Sequence, residues 1–441
     1  MKPRYTEKRH VAVIGAGYAG LITAHALKEK GIQVSVFEKQ SGPGGLWRYA
    51  DSHRKPPDIR HNAEPLSSAI YPGLRTNLPI ELMTPPNLPD FFADKTLYSR
   101  FPSHTAVLQY LERYARHKSL NTCIHYGQEI LHIKPKTLYP LPVKHNQLTL
   151  VIRDITTHHL SCHQYDSVVV CNGHFHKPYM PATPDFSAYR GHLTHSLYYR
   201  EPHYYHGQNV IVVGAGSSAE DICKALSPEA RHVYQCRRPG DNAISPLRNG
   251  RYGSADNITQ HSFIKSCDNR TIKLRDGEIL NNINSIILCT GYQYYFPFIS
   301  GSLASLIKNT GRDVGPLYMD IFCPLLPELA FIGLPNKGPS SHLMFHQARY
   351  VASIFSGEIA LPSSRQMLAA CQHARHPYPK GAIASGQLLD YQERNFTMMP
   401  LLARLAGTAS DISALEALYR KLGQHRRNFP DNYRDVPLPP S

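Results

Sequence analysis

The feature that most constrains the fold of this chain is a strand, a glycine loop and a helix that occur together twice. The first copy runs from the apolar segment HVAVI (10–14) through GAGYAG (15–20) into LITAHALKEKG. The second copy runs from NVIVV (209–213) through GAGSSA (214–219) into EDICKAL. A short apolar run before such a loop is typical of a buried parallel strand, so each copy predicts a Rossmann-like β–α–β unit.

Both loops have the glycines that the pyrophosphate of a dinucleotide requires. The first glycine makes a tight turn, the second lets the backbone approach the anion, and the following helix offers N–H groups and the positive end of its dipole. The sequence therefore predicts an α/β fold with two Rossmann-like dinucleotide-binding domains. The expected cofactor contacts are Gly15, Ala16, Gly17, Tyr18, Ala19 and Gly20 in the first copy and Gly214, Gly216, Ser217, Ser218 and Ala219 in the second.

The residues that follow the second strand of each copy differ in charge. Glu38 lies 23 residues after Gly15. Arg237 lies 23 residues after Gly214, and Arg238 follows it. A carboxylate at this position accepts hydrogen bonds from a ribose 2′-hydroxyl, whereas arginines favour a 2′-phosphate. The first loop therefore suits FAD or NAD and the second suits NADP, the alternatives being a surface acid and a solvated basic pair.

A second glycine pair supports a flavin in the first domain. The segment GGLW contains Gly45, Leu46 and Trp47, and its two glycines let the chain pass close to an anionic or planar group. Trp47 is the only tryptophan of the chain, and the alternative interpretation of this residue is ordinary core packing.

Charge and cysteine spacing limit the classes of function. The chain has 48 Lys and Arg against 33 Asp and Glu, a net charge of +15, which favours anionic ligands. No basic run is interleaved with aromatic residues, so we expect no nucleic-acid partner. The nine cysteines include no Cys-x-x-Cys pair, which argues against a zinc ribbon and a dithiol relay, and we expect no metal. Two dinucleotide folds without these groups imply hydride flow from NADPH to a flavin and then to molecular oxygen.

The segment YRGHLTHSLYY (189–199) resembles the fingerprint F-x-G-x-x-x-H-x-x-x-(Y/F) of the flavin-containing monooxygenases. Tyr189, Gly191, His195 and Tyr199 stand at its four positions, with Tyr in place of the first Phe. Baeyer–Villiger relatives carry Trp at the last position, so the resemblance favours oxygenation of a nitrogen or sulfur atom. His195 could be a base or could fix the domain junction, and we favour the second role because the chemistry needs no strong base.

Further segments between about residues 9 and 365 resemble the same family. CTGY (289–292) is similar to its A-T-G-Y linker, and YPGLRTNLPIELM (71–83) is similar to the segment that supplies an Asn beside the flavin ring. The resemblance thus implies Asn77 as the catalytic residue and Thr76 and Gln347 as cofactor contacts. An acidic residue that precedes this Gln in the family is replaced here by Phe345–His346. Without the resemblance, Asn77 could equally cap a turn.

The resemblance implies an enzyme of the N,N-dimethylaniline monooxygenase type. Such an enzyme uses FAD, NADPH and O2 to oxygenate soft nitrogen or sulfur atoms of a small molecule through a flavin C4a-hydroperoxide, in a site that excludes water. Baeyer–Villiger or indole-pyruvate-type oxygenation, an NADPH oxidase that releases peroxide, a redox sensor and a non-enzymatic scaffold remain open.

The expected domains follow from the inserted position of the second copy. They are an FAD-binding domain in 1–172, an NADP-binding domain in 173–284, and the rest of the FAD-binding domain with a C-terminal helical extension in 285–441. No signal peptide or membrane span is expected, so we expect a cytoplasmic protein that could form a homodimer.

Overall fold

The computed structural model describes residues 9–49, 55–61, 63, 66, 68–85, 99–136, 147–182, 184–238, 247–248, 251–252, 255–335, 338–373, 392–408 and 410–438. The chain divides into two compact units. The first unit consists of Met1–Arg48, Leu78–His174 and Tyr294–Tyr419. The second unit consists of Tyr49–Asn77, Phe175–Gln293 and Arg420–Ser441.

The helices and strands of the described residues are as follows. The strands are β1 (His10–Ile14), β2 (Gln33–Glu38), β3 (Ile124–Tyr126), β4 (Gln128–Pro135), β5 (Leu148–Asp154), β6 (Leu160–Tyr165), β7 (Ser167–Val170), β8 (His192–His195), β9 (Asn209–Val213), β10 (His232–Arg237), β11 (Leu247–Arg248), β12 (Arg251–Tyr252), β13 (Ile258–Ser262), β14 (Ile264–Asp268), β15 (Thr271–Leu274), β16 (Ile279–Leu280), β17 (Ser285–Leu288), β18 (Lys308–Asn309), β19 (Val314–Gly315), β20 (Phe322–Cys323) and β21 (Leu326–Phe331). The α-helices are α1 (Tyr18–Glu29), α2 (Ile80–Met83), α3 (His104–His117), α4 (Ser217–Leu226), α5 (Ser302–Leu306), α6 (Ser340–Phe355), α7 (Ser364–His373), α8 (Gln392–Leu405) and α9 (Ser413–Asn428).

The first unit is built around a six-stranded sheet with the order β20–β21–β7–β1–β2–β3. β1 pairs in parallel with β2 and with β7, and β21 continues the parallel arrangement beside β7. The carboxyl ends of these strands meet at one edge, which is where an open parallel sheet binds its ligands.

The alternation of side chains along β1 separates two cores in the first unit. Val11 and Val13 belong to a cluster that includes residues of α1, α3, α6 and α8. Ala12 and Ile14 belong to a second cluster that includes residues of the antiparallel sheet β4–β5–β6. Because both faces are covered, β1 is an uninterrupted apolar run and not an alternating one.

The second unit repeats this architecture around a sheet with the order β11–β12–β13–β10–β9–β17–β8. Val210 and Val212 of β9 pack in a cluster with residues of α4. Ile211 and Val213 pack in another cluster with residues of the antiparallel sheet β14–β15–β16. The repeat predicted from the two glycine loops therefore extends to the antiparallel sheet on the opposite face, and the predicted fold class is confirmed.

The bounds of the two compact units differ from the domain boundaries expected from the sequence. β17 was expected to open the resumed first domain, yet it pairs in parallel with β9 and β8 inside the second sheet. The second unit also takes in 49–77 and 420–441. An apolar strand pattern predicts burial but does not say which sheet the strand joins, so the pattern of residues 285–288 alone does not assign β17 to the second sheet.

Local sequence signals mark the ends of two helices. The Ser103 side chain accepts a hydrogen bond from the Ala106 N–H at 3.3 Å and is the N-cap of α3. Lys30 is the C-cap of α1, and Gly31 follows it with φ +72°, the left-handed conformation that glycine commonly adopts after a helix. Over the described residues, no helix is both long and apolar enough to cross a membrane.

Candidate dinucleotide-binding sites

The first glycine loop joins β1 to α1 at the carboxyl edge of its sheet. Gly15 has φ +100°, and a Cβ on this residue would lie 2.7 Å from the carbonyl oxygen of Cys171. A Cβ on Gly20 would lie 1.8 Å from the carbonyl oxygen of Gly15. The close packing of the chain itself therefore requires both glycines.

Gly17 is needed for a different reason. It is the N-cap of α1, with φ −76° and no side chain that caps the helix. A Cβ on Gly17 would lie 3.4 Å from the Cα of Gly45, which is an ordinary contact. The fold thus tolerates a side chain at this position, but that side chain would stand before the free N–H groups of α1, where a pyrophosphate binds.

The segment GGLW is held against the first loop, as the flavin hypothesis requires. The N–H of Gly44 donates to the carbonyl oxygen of Ala16 at 2.9 Å. Gly45 begins a single 3-10 turn, Gly45–Trp47, with φ +54°, and a Cβ on it would lie 2.8 Å from the Cα of Gly17. Trp47 packs against the first core cluster, which agrees with the alternative interpretation of this residue as part of the core.

Glu38 is the last residue of β2 and is buried beneath the loop. Its Oε2 accepts a hydrogen bond from the Ala16 N–H at 2.7 Å, and its Oε1 accepts one from the Gln40 N–H at 2.8 Å. Burial raises the pKa of this carboxyl, and the two N–H donors oppose that rise. Glu38 is therefore not a surface acid, because it fixes the loop and keeps lone pairs that could accept a hydroxyl.

Gln347 lies on α6 in the same unit, as the sequence resemblance requires of a residue near a flavin. Its Oε1 accepts a hydrogen bond from the Gly333 N–H at 3.1 Å. Its side chain is 1 % exposed, and its Nε2 has no hydrogen-bond partner among the described residues. A buried amide donor without a partner is costly, and a ligand that supplies an acceptor would relieve that cost.

The remaining residues of the first loop make contacts within the protein. Tyr18 donates its hydroxyl to the carbonyl oxygen of Met83, and Ala16 and Ala19 are buried in the first core cluster. Three observations in the first unit fit a bound dinucleotide with a planar ring system. The loop is tightly packed at Gly15 and Gly20, the N-cap of α1 carries no side chain, and the buried Nε2 of Gln347 has no hydrogen-bond partner among the described residues.

The second glycine loop joins β9 to α4 and is more open. Gly214 has φ +140°, and a Cβ on it would lie 2.5 Å from the carbonyl oxygen of Cys289. Gly216 is the N-cap of α4 with φ −86°, and a Cβ on it would meet no described atom within 4 Å. Ser217 and Ser218 follow in the first turn of α4, with Ala219 fully buried behind them. This loop also fits a pyrophosphate.

Polar side chains of neighbouring strands brace the second loop. Gln235 of β10 donates from Nε2 to the carbonyl oxygen of Gly214 at 3.0 Å. The Nε2 of Gln260 donates in turn to the Oε1 of Gln235 at 2.8 Å. Arg237 ends β10, as Glu38 ends β2, and the exposed Arg238 follows it. Both arginines therefore occupy the position at which a 2′-phosphate is bound in this kind of fold.

Asn77 lies in the second unit and contacts α4. Its Nδ2 donates to the Oγ of Ser217 at 3.1 Å. The neighbouring Thr76 is buried, and its carbonyl oxygen accepts a hydrogen bond from the Nε of Arg434 at 2.9 Å. The residue expected beside a flavin ring thus stands at the start of the helix that follows the second glycine loop.

The fingerprint residues bracket β8 at its two ends. At the amino end, the Tyr189 ring fills the space beside Gly191, since a Cβ on this glycine would lie 2.1 Å from the Tyr189 hydroxyl oxygen. Arg60 donates to the carbonyl oxygens of Tyr189 and of Gly191 and pairs with Asp58. This half of the motif fixes the strand, and it lies at the sheet edge opposite the second glycine loop.

At the carboxyl end of β8, both ring nitrogens of His195 are engaged. Nδ1 accepts a hydrogen bond from the Leu197 N–H at 3.0 Å, so the ring proton lies on Nε2, which donates to the carbonyl oxygen of Gly291 at 3.1 Å. Burial lowers the pKa of His195 to about 4. These contacts favour a structural role over a base, and they join β8 to the CTGY segment.

Tyr199, the last fingerprint residue, packs in an aromatic cluster. Its ring meets Tyr71 edge to face at 5.2 Å and stacks on Tyr205 at 6.2 Å between centroids. The Tyr199 hydroxyl is buried and has no hydrogen-bond partner among the described residues. The cluster thus anchors the beginning of the segment that leads to Asn77.

The sequence analysis missed the backbone of Cys171 and of Cys289, which packs against the first glycine of each loop. β7 lies beside β1 and β17 lies beside β9, and each of these two strands is followed by a Cys-x-Gly turn. The N–H of Cys171 donates to the carbonyl oxygen of Ile14 at 2.9 Å, and the N–H of Cys289 donates to the carbonyl oxygen of Val213 at 2.8 Å. The signal was present in the paired sequences VVVCNG and IILCTG. No group of three or more His, Cys, Asp or Glu in the described part of the chain is placed to hold a metal ion.

Comparison with known proteins decides between the cofactor-binding classes. The sequence profile described as "FMO-like: Flavin-binding monooxygenase-like" matches residues 8–256 and 254–418. The chain belongs to the flavin-binding monooxygenase-like family. It is a flavin-dependent monooxygenase, with FAD and NADPH as its cofactors.

Relatives resemble this chain over nearly their whole length. Flavin-containing monooxygenase FMO GS-OX-like 4 of Arabidopsis thaliana is 30% identical over 433 residues, which covers 97% of this chain and 93% of the relative. The structure of S-allyl-L-cysteine S-oxygenase from Allium sativum superposes with a TM-score of 0.85 at 29% identity, covering 98% of this chain and 95% of the other. The structure of Tmm from a Pelagibacter strain has a TM-score of 0.80 at 21% identity, covering 97% and 93%, and shows the fold alone.

Proposed function

We propose that this monooxygenase transfers one oxygen atom from O2 to the sulfur atom of a small thioether. The observation that carries the proposal is the similarity to the Allium S-oxygenase along nearly the whole of both chains. In the overall reaction a thioether, O2, NADPH and a proton give a sulfoxide, water and NADP⁺. One oxygen atom forms the S–O bond, and the other leaves as water with the two electrons of NADPH.

We assign FAD to the first unit. The loop from Gly15 to Gly20 would hold its pyrophosphate on the N–H groups of α1, and Glu38 would accept a ribose hydroxyl. Gly45 would border the cofactor beside Gly17, since these two glycines leave space that side chains would fill. The unpaired Nε2 of Gln347 supports a ring acceptor close to α6.

We assign NADPH to the second unit. The open N-cap at Gly216 and the hydroxyls of Ser217 and Ser218 would hold its pyrophosphate at the start of α4. Arg237 and Arg238 would bind the 2′-phosphate with charge-assisted hydrogen bonds.

Bound FAD would supply the redox chemistry, accepting two electrons from NADPH and presenting an electrophilic oxygen atom from O2 to a soft sulfur atom. The protein needs no strong base for this transfer, in agreement with the engaged and neutral His195. Its residues bind and orient the two dinucleotides and exclude water.

Asn77 would serve the nicotinamide cofactor. By donating to the Oγ of Ser217, it occupies one acceptor position of this hydroxyl and leaves the hydroxyl proton for another partner. A phosphate oxygen at the N-terminus of α4 is the acceptor that this geometry suits. An Asn77→Ala variant should keep FAD and lose affinity for NADPH together with oxygenation.

The test is a substrate comparison on the purified holoenzyme. S-allyl-L-cysteine, N,N-dimethylaniline and cyclohexanone are each incubated with NADPH in air, and NADPH consumption, hydrogen peroxide and products are quantified. We expect one sulfoxide per NADPH with the thioether and mainly peroxide with the ketone. If the tertiary amine is oxidised faster than the thioether, the substrate is an amine and the proposed thioether class is wrong. If peroxide is the sole product with every compound, the protein is an NADPH oxidase.

A further inference from the structure

An arginine near the end of the chain binds the helix that follows the second glycine loop. Arg434 forms a bidentate ion pair with Asp221 of α4, with Nη1–Oδ1 at 2.9 Å and Nη2–Oδ2 at 2.8 Å. The side chains of both residues are largely buried, at 16 % and 18 % exposure. A bidentate pair that water reaches poorly has a defined geometry, unlike most surface ion pairs.

The same guanidinium also binds the segment that carries Asn77. Its Nε donates to the carbonyl oxygen of Thr76 at 2.9 Å. One rigid planar group therefore joins α4 to residue 76, and a lysine ammonium could not reproduce the three bonds in this geometry.

The segment binds back to the C-terminal residues. Arg75 donates from Nη2 to the carbonyl oxygen of Arg434 at 3.1 Å, and its Nη1 pairs with Asp435 at 2.6 Å. The Tyr433 ring lies 4.9 Å beneath the Arg434 guanidinium. Contacts in both directions hold residues 75–76 and 434–435 together, on the flank of α4.

Asn77 extends from this junction to Ser217. Its exposed side chain has the Ser217 hydroxyl as a partner, so its position depends on where the backbone of Thr76 is held. The Arg434 contact fixes that backbone at the adjacent carbonyl group. A loss of Arg434 would free the segment and release the Ser217 hydroxyl from Asn77.

We propose that Arg434 is a positioning residue of the NADPH site, which holds residues 75–77 against α4 and thereby keeps Asn77 on the Ser217 hydroxyl. The proposal rests on the assignment of NADPH to the second unit. It gives the C-terminal residues, which match no segment in the sequence resemblance, a part in cofactor binding without direct contact to the cofactor.

The chain supplies a matched control for this proposal. Arg426 lies in the same C-terminal part, pairs with Glu220 of the same helix at 3.3 Å, and stacks on the same Tyr433 ring at 4.9 Å. Among the described residues, it makes no hydrogen bond to 71–77. Arg434→Gln and Arg426→Gln each remove one positive charge that pairs with an acidic residue of α4, but only Arg434→Gln also removes the bond to Thr76.

The measurement is the dissociation constant of NADP⁺ for the oxidised, FAD-loaded holoenzyme, obtained by calorimetry. The loss of the neutral hydrogen bond from Asn77 to the Ser217 hydroxyl predicts a dissociation constant about two- to tenfold higher in Arg434→Gln than in Arg426→Gln. Arg434→Lys keeps a cation beside Asp221 and should fall between wild type and Arg434→Gln. It also serves as the test variant if Arg434→Gln does not fold, as judged by its melting temperature.

A double-mutant cycle with Asn77→Ala tests whether Arg434 acts through Asn77. In the Asn77→Ala background, Arg434→Gln should weaken NADP⁺ binding no more than Arg426→Gln does, because the group that it positions is absent. Equal effects of the two arginine variants, or additive effects of Arg434→Gln and Asn77→Ala, would overturn the proposal. A wild-type protein that binds no NADP⁺ would instead overturn the assignment of the NADPH site.

Discussion

The two glycines of the second loop, Gly214 and Gly216, should respond to alanine in opposite ways. Gly214 has φ +140°, and an added Cβ would lie 2.5 Å from the carbonyl oxygen of Cys289. Gly216 has φ −86°, and an added Cβ would meet no described atom within 4 Å. The protein alone therefore accepts alanine at Gly216 and not at Gly214, whereas NADPH bound as we propose would require the space at Gly216.

The structure sets the size of each effect. Gly216→Ala should change the free energy of unfolding by about 0.4–1 kcal/mol in the stabilising direction, because alanine restricts the unfolded chain. Gly214→Ala combines a strained backbone with a backbone clash and should cost more than about 3 kcal/mol. For a cooperative unit of about 150–250 residues, the size range of the second unit, a change of 1 kcal/mol shifts the melting temperature by about 2–4 °C, so the two melting temperatures should differ by at least roughly 6 °C.

The assay combines thermal unfolding with NADP⁺ titration of the FAD-loaded protein. Gly216→Ala should melt at or above the wild-type temperature, remain yellow and bind NADP⁺ at least about tenfold more weakly, a loss of about 1.4 kcal/mol. Wild-type NADP⁺ affinity in Gly216→Ala would refute the placement of the pyrophosphate at α4. A melting temperature as low as that of Gly214→Ala would refute the geometry of the loop.

Two further predictions concern the first loop and the fingerprint. Gly17→Ala should fold, because the added Cβ lies 3.4 Å from the Cα of Gly45, yet the purified protein should be colourless, while a yellow product would contradict the assignment of FAD to this loop. His195 is protonated more readily in the unfolded chain, at pKa 6.5, than in the folded chain, at about 4, so its contribution to stability is complete above pH 6.5 and is lost as the pH falls towards 4. At about pH 5.5 this loss is on the order of 1 kcal/mol relative to neutral pH, so the unfolding free energy of His195→Asn should fall less than that of wild type by about this amount, and parallel pH profiles would contradict the neutral His195.

The sequence predicts the glycine loops well because every requirement is local. The strands at 10–14 and 209–213 have the predicted bounds, and Glu38 and Arg237 each end the second strand of their unit. Turn, strand and helix signals within about thirty residues specify such a unit without reference to the rest of the chain.

The remaining features depend on contacts between distant residues. Glu38 was expected to bind a ribose, and its bonds to Ala16 and Gln40 follow only from its burial beneath the loop. The sheet that β17 joins depends on the path of the chain between domains. The pair of Arg434 with Asp221 spans more than two hundred positions, and no periodicity in either segment marks it.

The central claim is that the two loops hold different dinucleotides, a flavin in the first unit and a 2′-phosphorylated nicotinamide in the second. Its most direct test is anaerobic reduction of the purified yellow protein, followed by the bleaching of its flavin absorbance, with NADPH and with NADH at equal concentration. We predict fast bleaching with NADPH, much slower bleaching with NADH, and a loss of this preference in Arg237→Gln/Arg238→Gln. Equal rates with both nucleotides in the wild type, or a protein that never carries a flavin, would contradict the claim.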